Sequence, residues 1–213
     1  LKELCNYWIT KFDWSKHELE MNKFKNYTTN IDGIKIHFIK KKGSSQNSKP
    51  LLLMHGWPGS IIEFLNIIEK LAHPEKFGGN EKDSFDVIVP SLPGFGFSVG
   101  LSKPMGPRKM AEILNKLMIE NLGYKDYMAQ GGDWGATIAN WLGYDHSNFC
   151  KAIHINCLTM RHPEGPQSDE ERNWQKKFNE DQIMQEGYRT QQATKPQSLG
   201  YGMMDSPVGI AGW

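Results

Sequence analysis

The chain of 213 residues lacks a long apolar run and an excess of charge of either sign. No stretch reaches the roughly 18 apolar residues of a membrane-spanning helix, so we expect no membrane segment in this sequence. The 25 Lys and Arg residues nearly balance the 24 Asp and Glu residues, which leaves a net charge of +1. Nucleic acid is therefore not an expected partner. The first residues also lack the basic start and apolar stretch of a secretory signal peptide.

Cysteine is scarce: Cys5, Cys150 and Cys157 are the three present, and their spacing matches no metal-binding pattern. An odd number of cysteines without a signal peptide favours reduced thiols and a cytoplasmic location. The three side chains are interpreted as small buried apolar groups. We expect neither a metal ion nor a cofactor.

Both ends of the sequence interrupt a pattern. The chain begins at Leu1 inside a helical spacing of apolar residues, with no N-cap residue before it. It ends at Trp213 without a stop signal. We therefore expect a piece of a longer protein, long enough for one domain with a sizeable core.

Two helices and a β-hairpin are predicted at the N-terminal end. Apolar residues recur at helical spacing over residues 1–12, and Ser15 with Glu18 predicts a capping box for a second short helix. Two β-rich runs then occupy residues 27–31 and 34–39. They are joined at Asp32-Gly33, a dipeptide typical of a tight hairpin turn.

Beyond residue 48, strands and helices alternate, which predicts an α/β protein with a doubly wound, mostly parallel sheet. The predicted strands are 51–54, 86–90, 127–130 and 152–156, and the predicted helices are 60–72, 108–122 and 136–144. From residue 161 the alternation stops in polar, Gln-rich sequence, which we interpret as an excursion over the sheet. Ligands of such folds bind at the carboxyl ends of the strands.

The pentapeptide Gly-Phe-Ser-Val-Gly at residues 96–100 matches the pattern of serine hydrolases. That pattern indicates a nucleophile only where a strand runs directly into it and a helix directly out. Here a loop precedes the pentapeptide, and the next predicted helix starts well after it. Ser98 is therefore interpreted as part of a glycine-rich loop at the rim of the crevice.

Residues 131–135, Gly-Gly-Asp-Trp-Gly, lie between a predicted strand and a predicted helix, as a nucleophile elbow requires. Small residues on both sides allow a sharp turn that holds a strained residue clear of the sheet. Asp133 occupies the position that serine normally holds, and the helix N-terminus favours its charged, reactive form. The alternative is that Asp133 is an ordinary N-cap.

A carboxylate nucleophile indicates chemistry at saturated carbon. Its attack gives an ester, which an activated water can hydrolyse, whereas serine would give a stable ether. Epoxides and alkyl halides are the substrates that fit. The oxyanion of the second step needs two donors, for which the backbone N–H groups of Trp57 and Trp134 are the candidates. His55, close to Trp57 in the same loop, is interpreted as organising that loop rather than as a base.

The sequence resembles the microsomal-type epoxide hydrolases over nearly its whole length. The segments that carry the likeness are residues 7–8, 12–14, 31–33, 36–38, 55–60, 90–98, 131–135, 194–196 and 205–209. The resemblance implies an α/β-hydrolase fold with N-terminal helices and a partial lid, and a small hydrophobic epoxide as substrate. It implies an N-terminal helical segment over residues 1–26, an incomplete core over 27–160 and the start of a lid over 161–213.

The resemblance also implies a role for Tyr188 and the absence of a base. Tyr188 matches a lid tyrosine that donates a hydrogen bond to the epoxide oxygen, and a donor is needed because an alkoxide is a poor leaving group. The family's water-activating histidine, its acid partner and a second lid tyrosine have no match. The histidines after Asp133 are His146, His154 and His162, and none occupies the matching place. We therefore expect this chain to form the ester intermediate without turnover.

Two alternatives remain open. A haloalkane dehalogenase shares the Asp-Trp-Gly motif, and in that case the indole N–H of Trp134 would hold the halide. A non-catalytic α/β-hydrolase-like binding protein would keep the fold without the chemistry. The residues do not distinguish between epoxides or enantiomers, and they leave the oligomeric state open.

Overall fold

The computed structural model describes residues 1–158 and 162–213. The chain divides into two compact units, of which one is Asp13–Thr159 and the other combines Leu1–Phe12 with Met160–Trp213. The domain boundaries expected from the sequence, at residues 26 and 160, stay predictions. Among the described residues, no helix has both the length and the apolar character that crossing a bilayer requires.

A six-stranded sheet with the order β1-β2-β4-β3-β5-β6 organises the larger unit. The strands are β1 (Asn26–Ile31), β2 (Ile34–Lys41), β3 (Lys49–Met54), β4 (Phe85–Pro90), β5 (Tyr127–Gly131) and β6 (Cys150–Ile155). Strands β4, β3, β5 and β6 run parallel to one another, and β2 is antiparallel to β4. The predicted α/β class and its four neighbouring parallel strands are therefore confirmed.

The predicted hairpin is formed by β1 and β2, at one edge of the sheet. At the turn, Asp32 and Gly33 have φ angles of 52° and 81°. Positive φ at both central residues characterises the type I′ turn, whose twist matches that of the two strands. The Asp-Gly dipeptide thus sets the register in which the strands pair.

Eight α-helices accompany the strands in the part of the chain that the structure describes. They are α1 (Lys2–Lys11), α2 (Trp14–Asn22), α3 (Leu65–Ala72), α4 (Pro107–Lys116), α5 (Trp134–Asp145), α6 (Asp169–Thr194), α7 (Pro196–Asp205) and α8 (Pro207–Gly212). Short 3₁₀ turns lie at Ile61–Phe64, Pro74–Phe77 and Glu81–Asp83, and a π-helical turn at Leu117–Asn121 follows α4. The helix predicted at 60–72 is therefore a 3₁₀ turn followed by α3. The helix predicted at 108–122 is α4 followed by the π-helical turn.

Helix α2 begins earlier than the sequence predicted. Its N-cap is Asp13, whose Oδ1 accepts a hydrogen bond from the Lys16 N–H at 3.3 Å. The predicted capping box of Ser15 and Glu18 is therefore wrong, because Ser15 already lies within the helix. Aspartate is as good an N-cap as serine, and its negative charge suits the helix N-terminus.

The sheet is covered by apolar side chains on both faces. Leu52 and Met54 of β3 join one cluster with residues of α4 and α5, whereas Leu51 and Leu53 join another with residues of α3. This alternation explains why β3 is a continuous apolar run. Each fully buried leucine or methionine contributes about 1.5–3 kcal/mol to folding.

Strand β6 is the exception to this burial. Its first residue, Cys150, is buried, but the following residues Ala152, Ile153 and His154 are exposed. Together with residues of β3, β5 and α3 they line an open, mostly apolar groove of about 690 Å³.

Cys5 and Cys157 are only partly buried, so the interpretation of all three cysteines as buried is wrong for these two.

The smaller unit contains a long helix that the sequence analysis missed. Helix α6 has 26 residues and starts with a capping box, in which Glu171 N–H bonds to Ser168 Oγ at 3.1 Å and Ser168 N–H bonds to Glu171 Oε2 at 3.2 Å. The Ser-x-x-Glu spacing was a visible signal for this start. The helix carries no clear apolar stripe, which is why periodicity did not reveal it.

Candidate active site

Asp133 occupies a strained turn between β5 and α5. Its φ and ψ are 50° and −121°, a combination that few residues other than glycine adopt. Holding such a conformation costs about 1–3 kcal/mol, which the surrounding structure must supply. The sharp, strained elbow predicted from the sequence is confirmed.

Two of the glycines around Asp133, Gly131 and Gly135, are needed because the turn packs directly on neighbouring backbone. A Cβ atom on Gly131 would collide with the carbonyl group of Gly135, and one on Gly135 would collide with the Met54 carbonyl at the end of β3. A Cβ on Gly132 would lie 2.5 Å from Oδ1 of Asn156, which follows β6. The turn therefore closes on itself and on the end of β3 only without side chains at Gly131 and Gly135, whereas at Gly132 the end of the flexible Asn156 side chain can move aside.

The Asp133 side chain binds the loop after β3. Its Oδ1 accepts a hydrogen bond from the Trp57 N–H at 2.8 Å. Asp133 holds the N-cap position of α5, but its side chain makes no capping hydrogen bond. The interpretation of Asp133 as an ordinary N-cap is therefore wrong.

The second predicted donor, Trp134, is the first residue of α5, so its N–H has no acceptor within the helix. Within the described residues no hydrogen bond joins this N–H to the Asp133 carboxylate. Asp133 is exposed, and Trp134 is 43% exposed. The sequence places Asp133 at the carboxyl end of a strand, where a ligand crevice is expected, and the structure leaves its side chain exposed there.

His55 organises the loop that carries Trp57. The Leu92 N–H donates to His55 Nε2 at 3.1 Å, so the ring proton lies on Nδ1, which donates to the Gly56 carbonyl at 2.9 Å. The ring is buried, and burial lowers the pKa of His55 below its usual value. A neutral ring with both nitrogens engaged is unsuited to act as a base. The geometry thus agrees with the loop-organising role predicted for His55.

Ser98 is fixed in the interior rather than presented to a substrate. Its Oγ donates to the Ser91 carbonyl and accepts from the His37 N–H, each at 2.8 Å, and the side chain is fully buried. The His37 ring continues this network, with Nδ1 bonded to Ser91 Oγ and Nε2 to Asn26 Oδ1, both at 2.9 Å. A buried hydroxyl that already has both partners is not a nucleophile.

Ser98→Ala should therefore lower stability without affecting chemistry at Asp133. The change leaves the His37 N–H and the Ser91 carbonyl buried with a lost partner, at a cost of about 1–3 kcal/mol. For a chain of this size the melting temperature should fall by about 2–4 °C per kcal/mol. Ser102→Ala, at an exposed position, is the matched control. Equal melting temperatures for the two variants would contradict the structural role of Ser98.

Stability should fall in mild acid because two histidines are buried in the neutral form. Burial lowers the pKa of His37 and of His55 below the usual value of 6.5. Below that pH the unfolded chain takes up protons that the folded protein does not, so the free energy of unfolding decreases until the folded-state pKa values are reached.

Chemical denaturation at about pH 7.5 and about pH 5.5 measures this loss. His37→Gln should make the free energy of unfolding less dependent on pH. A wild-type protein equally stable at both pH values would contradict the prediction.

Tyr188 lies in the smaller unit, on α6. It is 49% exposed and stacks on Trp213 with ring centroids 5.7 Å apart and planes inclined by 17°. The two rings line a cavity of about 510 Å³ with Gly187, Gln191 and Leu199. The expected approach of Tyr188 to Asp133 stays a prediction.

Two residues next to Asp133 were not predicted from the sequence. The Asn156 side chain lies against Gly132, and the Glu63 carboxylate lies against Gly59 of the loop that carries Trp57. For Asn156 the only signal was its place at the carboxyl end of a predicted strand. For Glu63 the signal was its position three residues after Ser60, the spacing of a capping box.

Two known families match the sequence. Residues 1–64 match the family described as "Epoxide hydrolase N terminus". Residues 49–199 match the family described as "alpha/beta hydrolase fold". The second match spans strands β3 to β6, the Trp57 loop and the turn at Asp133.

Individual proteins and structures are also similar over this chain. A protein of Stigmatella aurantiaca (strain DW4/3-1) with an epoxide hydrolase name is 40% identical over 217 residues, which cover 100% of this chain and 49% of that protein. Epoxide hydrolase 1 of Sus scrofa is 36% identical over 235 residues, which cover 100% of this chain and 52% of that protein. The structure of Aspergillus niger epoxide hydrolase superposes with a TM-score of 0.79 at 32% identity, over 96% of this chain and 54% of that chain. The chain thus spans about half the length of the relatives it matches.

Proposed function

The chain belongs to the α/β-hydrolase-fold family, and from this premise we propose that it opens epoxides by attack of the Asp133 carboxylate. The resemblance to epoxide hydrolases is confirmed by the matching N-terminal region and by the similar proteins. The reaction itself remains our proposal, because the chain spans only part of those relatives. The substrate class we propose is a small hydrophobic epoxide, and the cytoplasmic location stays a prediction.

The observation that carries the proposal is the state of the Asp133 side chain. A carboxylate occupies the elbow in a strained conformation, does not cap the helix behind it, and has Oδ1 bound to the Trp57 N–H. This contact orients the carboxylate and leaves its second oxygen, Oδ2, for attack. A pre-oriented nucleophile lowers the entropic part of the barrier.

In the proposed step, Asp133 Oδ2 forms a bond to one ring carbon of the epoxide. The bond from that carbon to the ring oxygen breaks, and the oxygen takes a proton from the hydroxyl of Tyr188, which solvent later restores. The product is a hydroxyalkyl ester of Asp133. No oxidant, metal or cofactor is required to balance this step.

Hydrolysis of the ester would complete diol formation. In that ester Oδ1 is the carbonyl oxygen, so the Trp57 N–H would stabilise the oxyanion as water attacks, with the Trp134 N–H proposed as the second donor. Water must be activated by a base. No histidine of this chain matches the family's base, so the ester should accumulate here.

Incubation of the folded chain with styrene oxide tests the proposal. Intact-mass measurement should show the addition of one molecule of styrene oxide per chain and no more, and peptide mapping should place it on Asp133. Circular dichroism of the same sample establishes that the chain is folded. A folded chain that takes up no epoxide overturns the proposal.

Two further results separate the alternatives. Release of halide from a chlorinated alkane, with no reaction of styrene oxide, would favour a haloalkane dehalogenase. Steady formation of diol over many turnovers would mean that a base is present in this chain, and His154 would be the first residue to replace. Absence of both reactions in the folded chain would favour a binding protein.

A further inference from the structure

The turn that follows β4, residues 92–98, is connected through His55 to the loop that follows β3. Two backbone hydrogen bonds of 2.8 Å close this turn. One runs from the Gly94 N–H to the Ser98 carbonyl, and the other runs from the Phe95 N–H to the Leu92 carbonyl. Leu92 is fully buried, and its own N–H donates to the His55 ring. The turn thus supplies one backbone donor to the neighbouring loop.

Three hydrogen bonds lead from this turn to Asp133, and all of them point in the same direction. The Leu92 N–H donates to His55 Nε2 at 3.1 Å. Nδ1, which therefore carries the ring proton, donates to the Gly56 carbonyl at 2.9 Å. The N–H of the same peptide group, on Trp57, donates to Asp133 Oδ1 at 2.8 Å. Hydrogen bonds that follow one another in this way strengthen one another.

The His55 ring is held in this arrangement by its surroundings. It is 1% exposed, and Phe95 packs against it with ring centroids 5.5 Å apart and planes inclined by 74°. A flip of the ring would turn a carbon atom toward the Leu92 N–H and leave this buried donor without an acceptor, at a cost of about 1–3 kcal/mol. Burial also lowers the pKa of His55, so the ring is neutral and Nε2 keeps the lone pair that accepts.

The peptide group between Gly56 and Trp57 lies directly against the nucleophile. A Cβ atom on Gly56 would collide with the Asp133 carboxylate, so no side chain separates the backbone from that carboxylate. Rotation of the peptide group would replace the N–H by the carbonyl oxygen, which repels a carboxylate. The hydrogen bond from His55 to the Gly56 carbonyl opposes this rotation.

We propose that His55 is a positioning residue for the epoxide-opening step, because its hold on the Gly56 carbonyl keeps the Trp57 N–H directed at Asp133. The Leu92 N–H in turn selects the tautomer of His55 that can donate. This inference rests on the proposed function. His55 does not touch the reacting atoms in this role, since it acts through one peptide group. Its loss should let the carboxylate rotate away from the geometry of attack.

The test compares the rate of styrene oxide addition in two His55 variants of nearly the same shape. His55→Leu removes both hydrogen bonds of the ring and should slow addition by about 10-fold to 100-fold, as expected for a small displacement of reacting groups. His55→Asn removes the acceptor for Leu92 but keeps an amide N–H near the position of Nδ1, from which it can donate to the Gly56 carbonyl. It should recover the rate to within about threefold of the wild type.

Ser98→Ala separates positioning from stability. It should destabilise the chain by about 1–3 kcal/mol, but it leaves the backbone hydrogen bonds of the turn and the Leu92 N–H in place. Addition should therefore proceed at the wild-type rate. A rate in Ser98→Ala as low as that in His55→Leu would mean that lost stability explains both results, and it would overturn the positioning role.

Two NMR readouts of the folded chain do not depend on activity. In the wild type, the His55 ring should carry its proton on Nδ1 and none on Nε2. The Trp57 amide proton should be shifted downfield by its hydrogen bond to Asp133, and this shift should be lost in His55→Leu and kept in His55→Asn. The opposite ring tautomer, or an unmoved Trp57 resonance in His55→Leu, would overturn the positioning role.

The remaining outcomes are equally decisive. Rates in His55→Leu and His55→Asn within about twofold of each other would show that the donor to Gly56 does not matter. If His55→Leu does not fold, a rate in His55→Asn more than about tenfold below the wild type overturns the positioning role. Absence of any adduct in the folded wild type would overturn the proposed function, whereas the two NMR readouts would still decide whether His55 orients Asp133.

Discussion

Asp133→Asn is expected to abolish covalent addition of styrene oxide to the chain. The amide keeps an oxygen that can accept from the Trp57 N–H, and asparagine tolerates positive φ, so the fold should be retained. An amide oxygen is a far weaker nucleophile than a carboxylate. The rate of addition should fall by about 10⁴-fold or more, the usual effect of removing a catalytic nucleophile. Intact-mass measurement over time gives the rate.

Two further variants make this result specific. Asp133→Ala should be equally inactive, which excludes reaction at the amide or its conversion back to aspartate. Asp126→Asn, at an exposed position just before β5, should react like the wild type. An adduct that persists in both Asp133 variants would place the nucleophile elsewhere.

Gly135→Ala should have the largest effect on stability. The added methyl group collides with the Met54 carbonyl at the end of β3 and comes within 2.9 Å of the His55 carbonyl. Both contacts are backbone, so no side-chain rotation relieves them, and helix α5 would have to move away from the sheet. We expect a loss of about 3 kcal/mol or more in the free energy of unfolding. Chemical denaturation followed by circular dichroism measures it.

Gly143→Ala in the same helix is the matched control. A Cβ atom there meets the side chain of Ile153 at 3.4 Å, an ordinary contact. Alanine also favours the helix over glycine by about 0.5–1 kcal/mol. This variant should be as stable as the wild type or slightly more so. A similar loss in both variants would show that close packing at Gly135 is not the cause.

Much of the fold was predictable because local signals and the global pattern agree. The Asp-Gly turn, with positive φ at both residues, sets the hairpin, and the continuous apolar run of β3 reflects burial on both faces. The predicted start of α2 was wrong because Asp13, and not Ser15, is the N-cap residue. Helix α6 was missed because its surface is polar on most sides, although its capping box was visible.

Those site residues were predictable whose positions follow from the order of strands and helices along the chain. Asp133 follows a strand and precedes a helix, so its place at the elbow follows from sequence alone. The Trp57 N–H was predicted as an oxyanion donor, and the structure brings it to Asp133 because the carboxyl ends of β3 and β5 are neighbours in the sheet.

The positive φ at Asp133 also bears on how such a sequence can change over generations. Glycine would relieve the strain at this position, and a more stable protein without the carboxylate would result. Selection for stability alone therefore favours glycine there, whereas under the proposed function selection for activity retains aspartate. A lineage released from the need for catalysis should lose this residue before it loses the glycines at positions 131 and 135, which the packing of the turn requires in either case.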